Sequence, residues 1–118
     1  MLTLVDTSIW IDHFKLGNEK LISLLRDDCV VIHEFILTEV YLGIYSKRKE
    51  VLTNLSNLTV FPAINHSEVI MLIDKYSLSG KGIGLVDINL LLTAIQNKLN
   101  LLTYDKKLSK IYHELILH

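Results

Sequence analysis

Four acidic residues, Asp6, Glu39, Asp87 and Asp105, have sequence neighbours that are unusual for surface carboxylates. Asp6 follows the apolar run "LTLV" and Asp105 follows "LLTY", which predicts that each lies at the end of a buried strand. Glu39 and Asp87 stand in helical patterns whose neighbours three and four positions away are mostly apolar. A carboxylate on an apolar face is unfavourable unless a positive group meets it. The four residues are therefore candidate ligands of a cation.

The type of cation follows from the ligand atoms. Carboxylates brought within about 4 Å repel by roughly 4 kcal/mol at an effective dielectric constant near 20, so a cluster of four requires a compensating positive charge. Oxygen ligands favour Mg²⁺ or Mn²⁺ over zinc. Cys29 is the only cysteine and the histidines are scattered, so no zinc-binding spacing is present.

Simpler roles exist for each acid taken singly. Asp6, Asp87 and Asp105 could each cap the helix that follows, which is the commonest role of aspartate at such boundaries. Glu39 could lie on a polar helix face whose phase the pattern does not fix. The residues alone leave these alternatives open beside the shared cation site.

The elements that would position these acids alternate between strands and helices. Short strands are predicted at "LTLVD", "CVVI", "LTVF" and "NLLTYD", and helices between and after them, with Ser67 as the cap of one. The long helical stretch that carries Glu39 is interrupted at residues 43–47. This order predicts an α/β fold with a parallel sheet covered by helices on both faces. Ligands of such sheets bind beyond the carboxyl ends of the strands, where Asp6 and Asp105 are expected to meet.

Length and composition favour one compact domain, residues 1–118. The apolar runs are far shorter than the roughly 20 residues that cross a bilayer, and Asp6 and Asp12 interrupt any leader-like start. The single cysteine fits a reducing compartment, so we expect a cytoplasmic protein without a membrane partner. A net charge of −1 argues neither for nor against nucleic acid.

Four blocks of this sequence resemble one protein family. They are "LVDTSIWIDHF", "HEFILTEVYLG", "GKGIGLVDINLLLTA" and "LLTYDKKL", and they occur in the family's order over nearly the whole chain. The resemblance is to the PIN domain, and within it to the VapC-type toxins of bacterial toxin–antitoxin pairs. It implies a three-layer sandwich with a central, mostly parallel sheet of four or five short strands.

The resemblance also implies an activity and a site. It implies a Mg²⁺-dependent endoribonuclease, with Mn²⁺ as a possible substitute, that leaves a 5′-phosphate. The implied acidic quartet is Asp6, Glu39, Asp87 and Asp105, of which the first three hold the metal directly and the last contributes peripherally or through water. Ser8 and Thr103 match polar positions that support the cluster. A small antitoxin partner and a homodimer are implied as well.

Candidate contacts to RNA are basic and aromatic. Lys47, Arg48 and Lys49 form a basic cluster, and Lys81 lies in the loop before Asp87, so these residues could contact phosphates. The alternative for the cluster is a solvated helix end. Unpaired bases could stack on aromatic rings, and the candidates are Trp10, Tyr41 and Tyr45, although Trp10 fits core packing better.

Other functional classes share part of this pattern. A receiver-like regulatory domain also places Asp beside Mg²⁺, but it gives Glu39 no role. A noncatalytic metal-binding module and a PIN nuclease that processes RNA without being a toxin remain as alternatives.

Overall fold

The computed structural model describes residues 1–44 and 46–117. Within them lie four strands and seven helices, none of which is long and apolar enough to cross a membrane. The strands are β1 (Thr3–Val5), β2 (Val30–His33), β3 (Thr59–Phe61) and β4 (Asn100–Leu102). The helices are α1 (Thr7–Leu16), α2 (Glu19–Arg26), α3 (Glu34–Gly43), α4 (Arg48–Ser56), α5 (His66–Lys75), α6 (Leu85–Gln96) and α7 (Lys106–Ile116).

The strands form one parallel sheet in the order β3-β2-β1-β4. Thr3 is in register with Val30 on one side and with Asn100 on the other. The chain first builds outward from β1 to β3 and then returns to add β4 on the opposite side of β1. Because crossovers between parallel strands are right-handed, this reversal places α5 and α6 on the face opposite α1 to α4. The carboxyl ends of β1 and β4 form the switch point, where open α/β sheets bind ligands.

The central strands and α6 form the core that supports this edge. β1 and β2 consist of buried residues throughout, which agrees with their nearly continuous β-branched and aliphatic composition. In α6 the segment 88–94 is buried on all sides, including the polar Asn89 and Thr93. The first turn of α6, which carries Asp87, is therefore anchored by the most deeply buried helix of the described chain.

Helix boundaries decide which acids act as caps. Asp6 and Asp105 are the N-caps of α1 and α7, so the capping interpretation is confirmed for both. It is wrong for Asp87, because α6 begins after Gly84 and Asp87 lies within its first turn.

The predicted cap Ser67 is also wrong: Asn65 caps α5, and its side chain accepts from the backbone N–H of Glu68 at 2.9 Å. The predicted break between α3 and α4 is confirmed, with Lys47 in a left-handed conformation at φ 55°.

Candidate active site

Asp6 is the centre of a hydrogen-bonded array at the carboxyl edge of the sheet. It directly follows β1, and its Oδ1 accepts from the backbone N–H of Thr7 at 2.7 Å. Its Oδ2 accepts from the hydroxyl of Thr103, which follows β4, also at 2.7 Å. Both oxygens are therefore oriented by donors, one from each side of the switch point.

Thr7 links Asp6 to Glu39. Its hydroxyl Oγ1 donates to Glu39 Oε1 at 2.6 Å, while its backbone N–H binds Asp6. A bond of this length to an ionised oxygen is typical of charge-assisted hydrogen bonds. A carboxylate on the mostly apolar helix α3 thus meets the start of α1, and one of its oxygens, Oε2, stays available for another partner.

Thr103 makes the corresponding link to Asp105. The backbone N–H of Asp105 donates to Thr103 Oγ1 at 3.0 Å, and the same hydroxyl donates to Asp6. Asp105 Oδ1 accepts from the backbone N–H of Leu108 at 3.1 Å, as expected of a helix cap. A continuous chain of hydrogen bonds therefore runs from Glu39 through both threonines to Asp105.

Asp87 completes the group from the opposite face of the sheet. Its pKa is raised above the ordinary value, first by desolvation and then by the negative charges of Asp6, Asp105 and Glu39. The positive N-terminal end of α6 favours the charged form, but it does not overcome these effects. Asp87 therefore lies within the electrostatic field of all three other acids, and no described side chain donates a hydrogen bond to it.

The donor set fits a divalent cation in its chemistry. All the groups are carboxylates, and oxygen ligands suit hard ions. Within the described residues, no three His, Cys, Asp or Glu side chains stand close enough to ligate one ion together. Asp6, Glu39 and Asp105 accept hydrogen bonds from hydroxyl and backbone N–H donors.

Two buried polar residues that the sequence did not single out as functional stabilise this frame. His33 caps α3, the helix of Glu39: its Nδ1 accepts from the backbone N–H of Phe35 at 2.9 Å. Burial lowers the pKa of His33, which keeps the ring neutral despite the opposing charge of Glu34 and the Asn89 side chain. Asn89, two residues after Asp87, accepts from the backbone N–H of Ile64 at 2.8 Å. The only feature of the sequence that could have indicated these two residues is a polar side chain within an apolar run.

The other predicted supporting and basic residues lie around the site in different ways. Ser8 is exposed and, among the described residues, makes no hydrogen bond to the acids, so Thr7 takes the role expected of it. Lys47, Lys49 and Lys81 are exposed. Arg48 is half-buried: its Nε donates to the carbonyl of Tyr41 at 3.1 Å, and its guanidinium lies 4.3 Å from that ring's centre. Arg48 therefore joins α3 to α4.

A further lysine near the rim was missed. Lys107 of α7 donates from Nζ to the carbonyl oxygen of Gly82 at 3.2 Å. This bond connects the loop before Asp87 to the helix that Asp105 caps. The loop turns at Gly82, whose φ is +72°, a conformation that side-chain-bearing residues rarely adopt. No sequence pattern announced the contact, because the two segments are far apart in the chain.

The geometry agrees with what comparison with known proteins finds. The sequence model of the PIN domain matches residues 3–114, which include all four acids. The chain belongs to the PIN domain family. Enzymes of this family generally use a divalent metal ion.

Relatives and a solved structure extend this assignment. The chain is 41% identical over 108 residues to Ribonuclease VapC32 of Mycobacterium tuberculosis, in strains CDC 1551 and H37Rv, covering 91% of this chain and 87% of the relative. The structure resembles the crystal structure of FitAcB from Neisseria gonorrhoeae with a TM-score of 0.69 and 22% identity, covering 95% of this chain and 94% of the other. The predicted fold class and the VapC-type PIN resemblance are confirmed, with four strands in an entirely parallel sheet.

Proposed function

We propose that this PIN domain is a metal-dependent endoribonuclease and the toxin of a toxin–antitoxin pair. The observation that supports the activity is the placement of four acids near the carboxyl edge of the sheet, where desolvation and then the charges of the other three raise the pKa of Asp87. The 41% identity to a ribonuclease over most of both chains supports the same reaction. The cytoplasm, where RNA is available, is the proposed location.

Asp6, Glu39 and Asp87 would hold the ion, with Asp105 at the periphery. We propose Mg²⁺ as the resident ion, with Mn²⁺ as a substitute, because hard ions of this size prefer carboxylate and water oxygens. When bound, such an ion acidifies a water molecule and neutralises phosphate oxygens. Its identity is tested by titrating each ion into protein stripped of metal and measuring heat of binding.

Hydrogen bonds within the chain orient two of the acids. Thr7 and Thr103 fix the orientation of Asp6, and Thr7 holds one oxygen of Glu39 while leaving Oε2 free. The four negative charges also repel RNA phosphates unless they are compensated. Binding of RNA at this edge is therefore coupled to binding of the ion.

A cleavage assay with matched variants tests the activity. Purified protein is incubated with structured RNAs and Mg²⁺ beside an Asp6→Asn variant and an Asp74→Asn control, since Asp74 is an exposed acid on α5 away from the site. We expect cleavage by the unaltered protein and by the control, none by Asp6→Asn, and none after chelation by EDTA. Equal cleavage by Asp6→Asn would show that the cleavage does not depend on the acidic site and would contradict the proposal.

The toxin role is separable from the activity. The name of the relative VapC32 supports a small antitoxin partner, and the resemblance supports a homodimer. A short reading frame immediately upstream whose product binds this chain and blocks cleavage is expected. A nuclease that cleaves RNA but has no such neighbour, and whose expression does not arrest growth, would instead be an RNA-processing enzyme.

A further inference from the structure

Tyr104 is an exposed aromatic residue in the turn between two members of the site. It stands between Thr103 and Asp105, and its side chain is 52% exposed. The hydrogen bonds from Thr103 to Asp6 and from the Asp105 N–H to Thr103 fix the backbone on both sides of it. An apolar ring is therefore presented to solvent from a rigid segment of the active site.

The far end of the ring is held as well. The side-chain amide of Asn18, the cap of α2, donates to the Tyr104 hydroxyl at 3.0 Å. This bond fixes the hydroxyl end of the ring.

The other aromatic candidates are occupied. Trp10 is only 1% exposed, and Phe14 stacks on it with ring centres 5.9 Å apart. Tyr41 is covered by the guanidinium of Arg48, and Tyr45 lies outside the described residues. Within residues 1–44 and 46–117, Tyr104 has the most exposed aromatic ring, and neither a second ring nor a cation lies over it.

An exposed ring held at both ends fits one chemical partner well. Proteins recognise single-stranded RNA largely by stacking its bases on aromatic side chains, which tolerates any base because every base has a π-face. A ring that is already immobilised loses little conformational entropy when a base binds. We propose that Tyr104 is a base-stacking residue for single-stranded RNA, a role that rests on the proposed ribonuclease function and assigns it a substrate contact.

The backbone position of Tyr104 places it close to the acids. Consecutive Cα atoms are about 3.8 Å apart, so Tyr104 is one residue step from Asp105 and from Thr103. A base stacked on the ring would belong to a nucleotide at or near the cut site. Tyr104 therefore positions the cut site and selects unpaired over paired RNA there, because a base inside a duplex is not free to stack on it.

Fluorescence of 2-aminopurine tests the proposal directly, because this base is quenched when it stacks. Short single-stranded RNAs of mixed sequence, each with 2-aminopurine at a different position, are titrated with Mg²⁺ into protein that also carries Asp87→Asn to prevent cleavage. In this background we compare Tyr104 with Tyr104→Leu, which keeps apolar bulk without a π-face, and Tyr104→Phe, which keeps the ring without the hydroxyl. We expect Tyr104→Leu to lose quenching and to bind roughly 5- to 150-fold more weakly.

The controls separate stacking from structure. Tyr104→Phe should keep the quenching with a smaller loss of affinity. Asn18→Ser can still cap α2 but lacks the amide that binds the hydroxyl. It should give the same result as Tyr104→Phe, with quenching kept and a smaller loss of affinity. Equal quenching and affinity in Tyr104→Leu would overturn the proposal, as would equal damage by Tyr104→Phe or an absence of quenching with the unaltered ring. Failure of the unaltered protein to cleave RNA would overturn the proposed function alone, since quenching is read without cleavage.

Discussion

The two sides of the acidic site differ in how their charges are satisfied. On the β1–β4 side, Asp6 has a donor on each oxygen, and Thr7 also binds Glu39. On the α6 side, Asp87 has no such donor among the described residues and carries the raised pKa. The comparison teaches that the protein's own donors orient the acids on the β1–β4 side, whereas on the α6 side the charged form of Asp87 is disfavoured and has no such donor. Neutral substitutions should therefore have different effects on the two sides.

The largest expected effect is on activity, and it should be common to both sides. Asp6→Asn and Asp87→Asn should each reduce RNA cleavage by roughly 100-fold or more, because each removes a charged ligand of the proposed ion. The measurement is the cleavage rate with Mg²⁺, with Asp74→Asn as the control. If Asp87→Asn retained full activity, the α6 side would have no part in the reaction.

A smaller effect is expected from removing the Thr7 hydroxyl, which donates to Glu39. Thr7→Val keeps the shape and the backbone N–H but removes the hydroxyl that orients Glu39. Loss of a hydrogen bond that orients a metal ligand typically weakens metal affinity or activity by about 10- to 100-fold. Calorimetric titration with Mn²⁺ measures the affinity without depending on cleavage.

The hydroxyl itself can be isolated with conservative variants. Thr7→Ser should restore most of the affinity, and Thr53→Val, an exposed threonine on α4, should leave it unchanged. An affinity for Mn²⁺ in Thr7→Val that equals that of the unaltered protein would show that Glu39 needs no orientation by Thr7.

Without metal, the free energy of unfolding should respond differently to substitution of Asp6 and of Asp87. Asp6→Asn leaves one of its two donors, Thr7 N–H or Thr103 Oγ1, without an acceptor, which costs about 1 to 3 kcal/mol in the free energy of unfolding. Asp87→Asn removes repulsion and no hydrogen bond, so it should be neutral or stabilising. Chemical denaturation in EDTA gives both values, and equal losses in the two variants would remove the distinction between the sides.

The smallest expected effect is on the pH dependence of stability. Because the pKa of Asp87 is raised in the folded protein, the folded state binds more protons than the unfolded state above the ordinary carboxyl pKa of 3.8. The contribution of Asp87 to stability therefore falls as the pH rises from 3.8 through the folded pKa. Asp87→Asn should not show this decrease. As the pH rises from 3.8 through the folded pKa of Asp87, the free energy of unfolding of the variant should therefore increase relative to that of the unaltered protein.

Divalent ions provide a second readout of the same charge. At neutral pH, Mg²⁺ should stabilise the unaltered protein more than Asp87→Asn, since binding to the folded state raises its stability by mass action. A pH profile in Asp87→Asn that runs parallel to that of the unaltered protein would mean that the pKa of Asp87 is not raised in the folded protein.

The fold was largely predictable because its signals are local. Apolar runs identified the four strands, and their alternation with helices gave the parallel sheet. Helix boundaries were less certain, as Ser67 shows, because Asn65 and Ser67 are both good capping types and the chain direction into α5 decides between them. Asp87 was assigned a possible cap for the same reason, whereas Gly84 begins the helix.

The sequence indicated the candidate acids of the site more clearly than the residues that hydrogen-bond to them. The acids were conspicuous because carboxylates interrupt apolar patterns. Thr7 and Ser8 are adjacent and chemically alike, and only the direction in which α1 leaves β1 decides that Thr7 meets Glu39. The exposed Tyr104 was missed in favour of aromatics that the fold buries or covers, because exposure depends on packing between distant segments.

The sequence alone determined the strand and helix types, the candidate acidic residues and the family. Strands and helices follow from short-range periodicity, and the acids stand out because a buried carboxylate is unfavourable without a partner. Only the tertiary structure decided which hydroxyl binds which carboxylate, that Arg48 joins two helices, and that Tyr104 faces solvent beside Asp105. These are contacts between residues far apart in the chain. Their geometry is set by how the helices pack against the sheet, which no local pattern specifies.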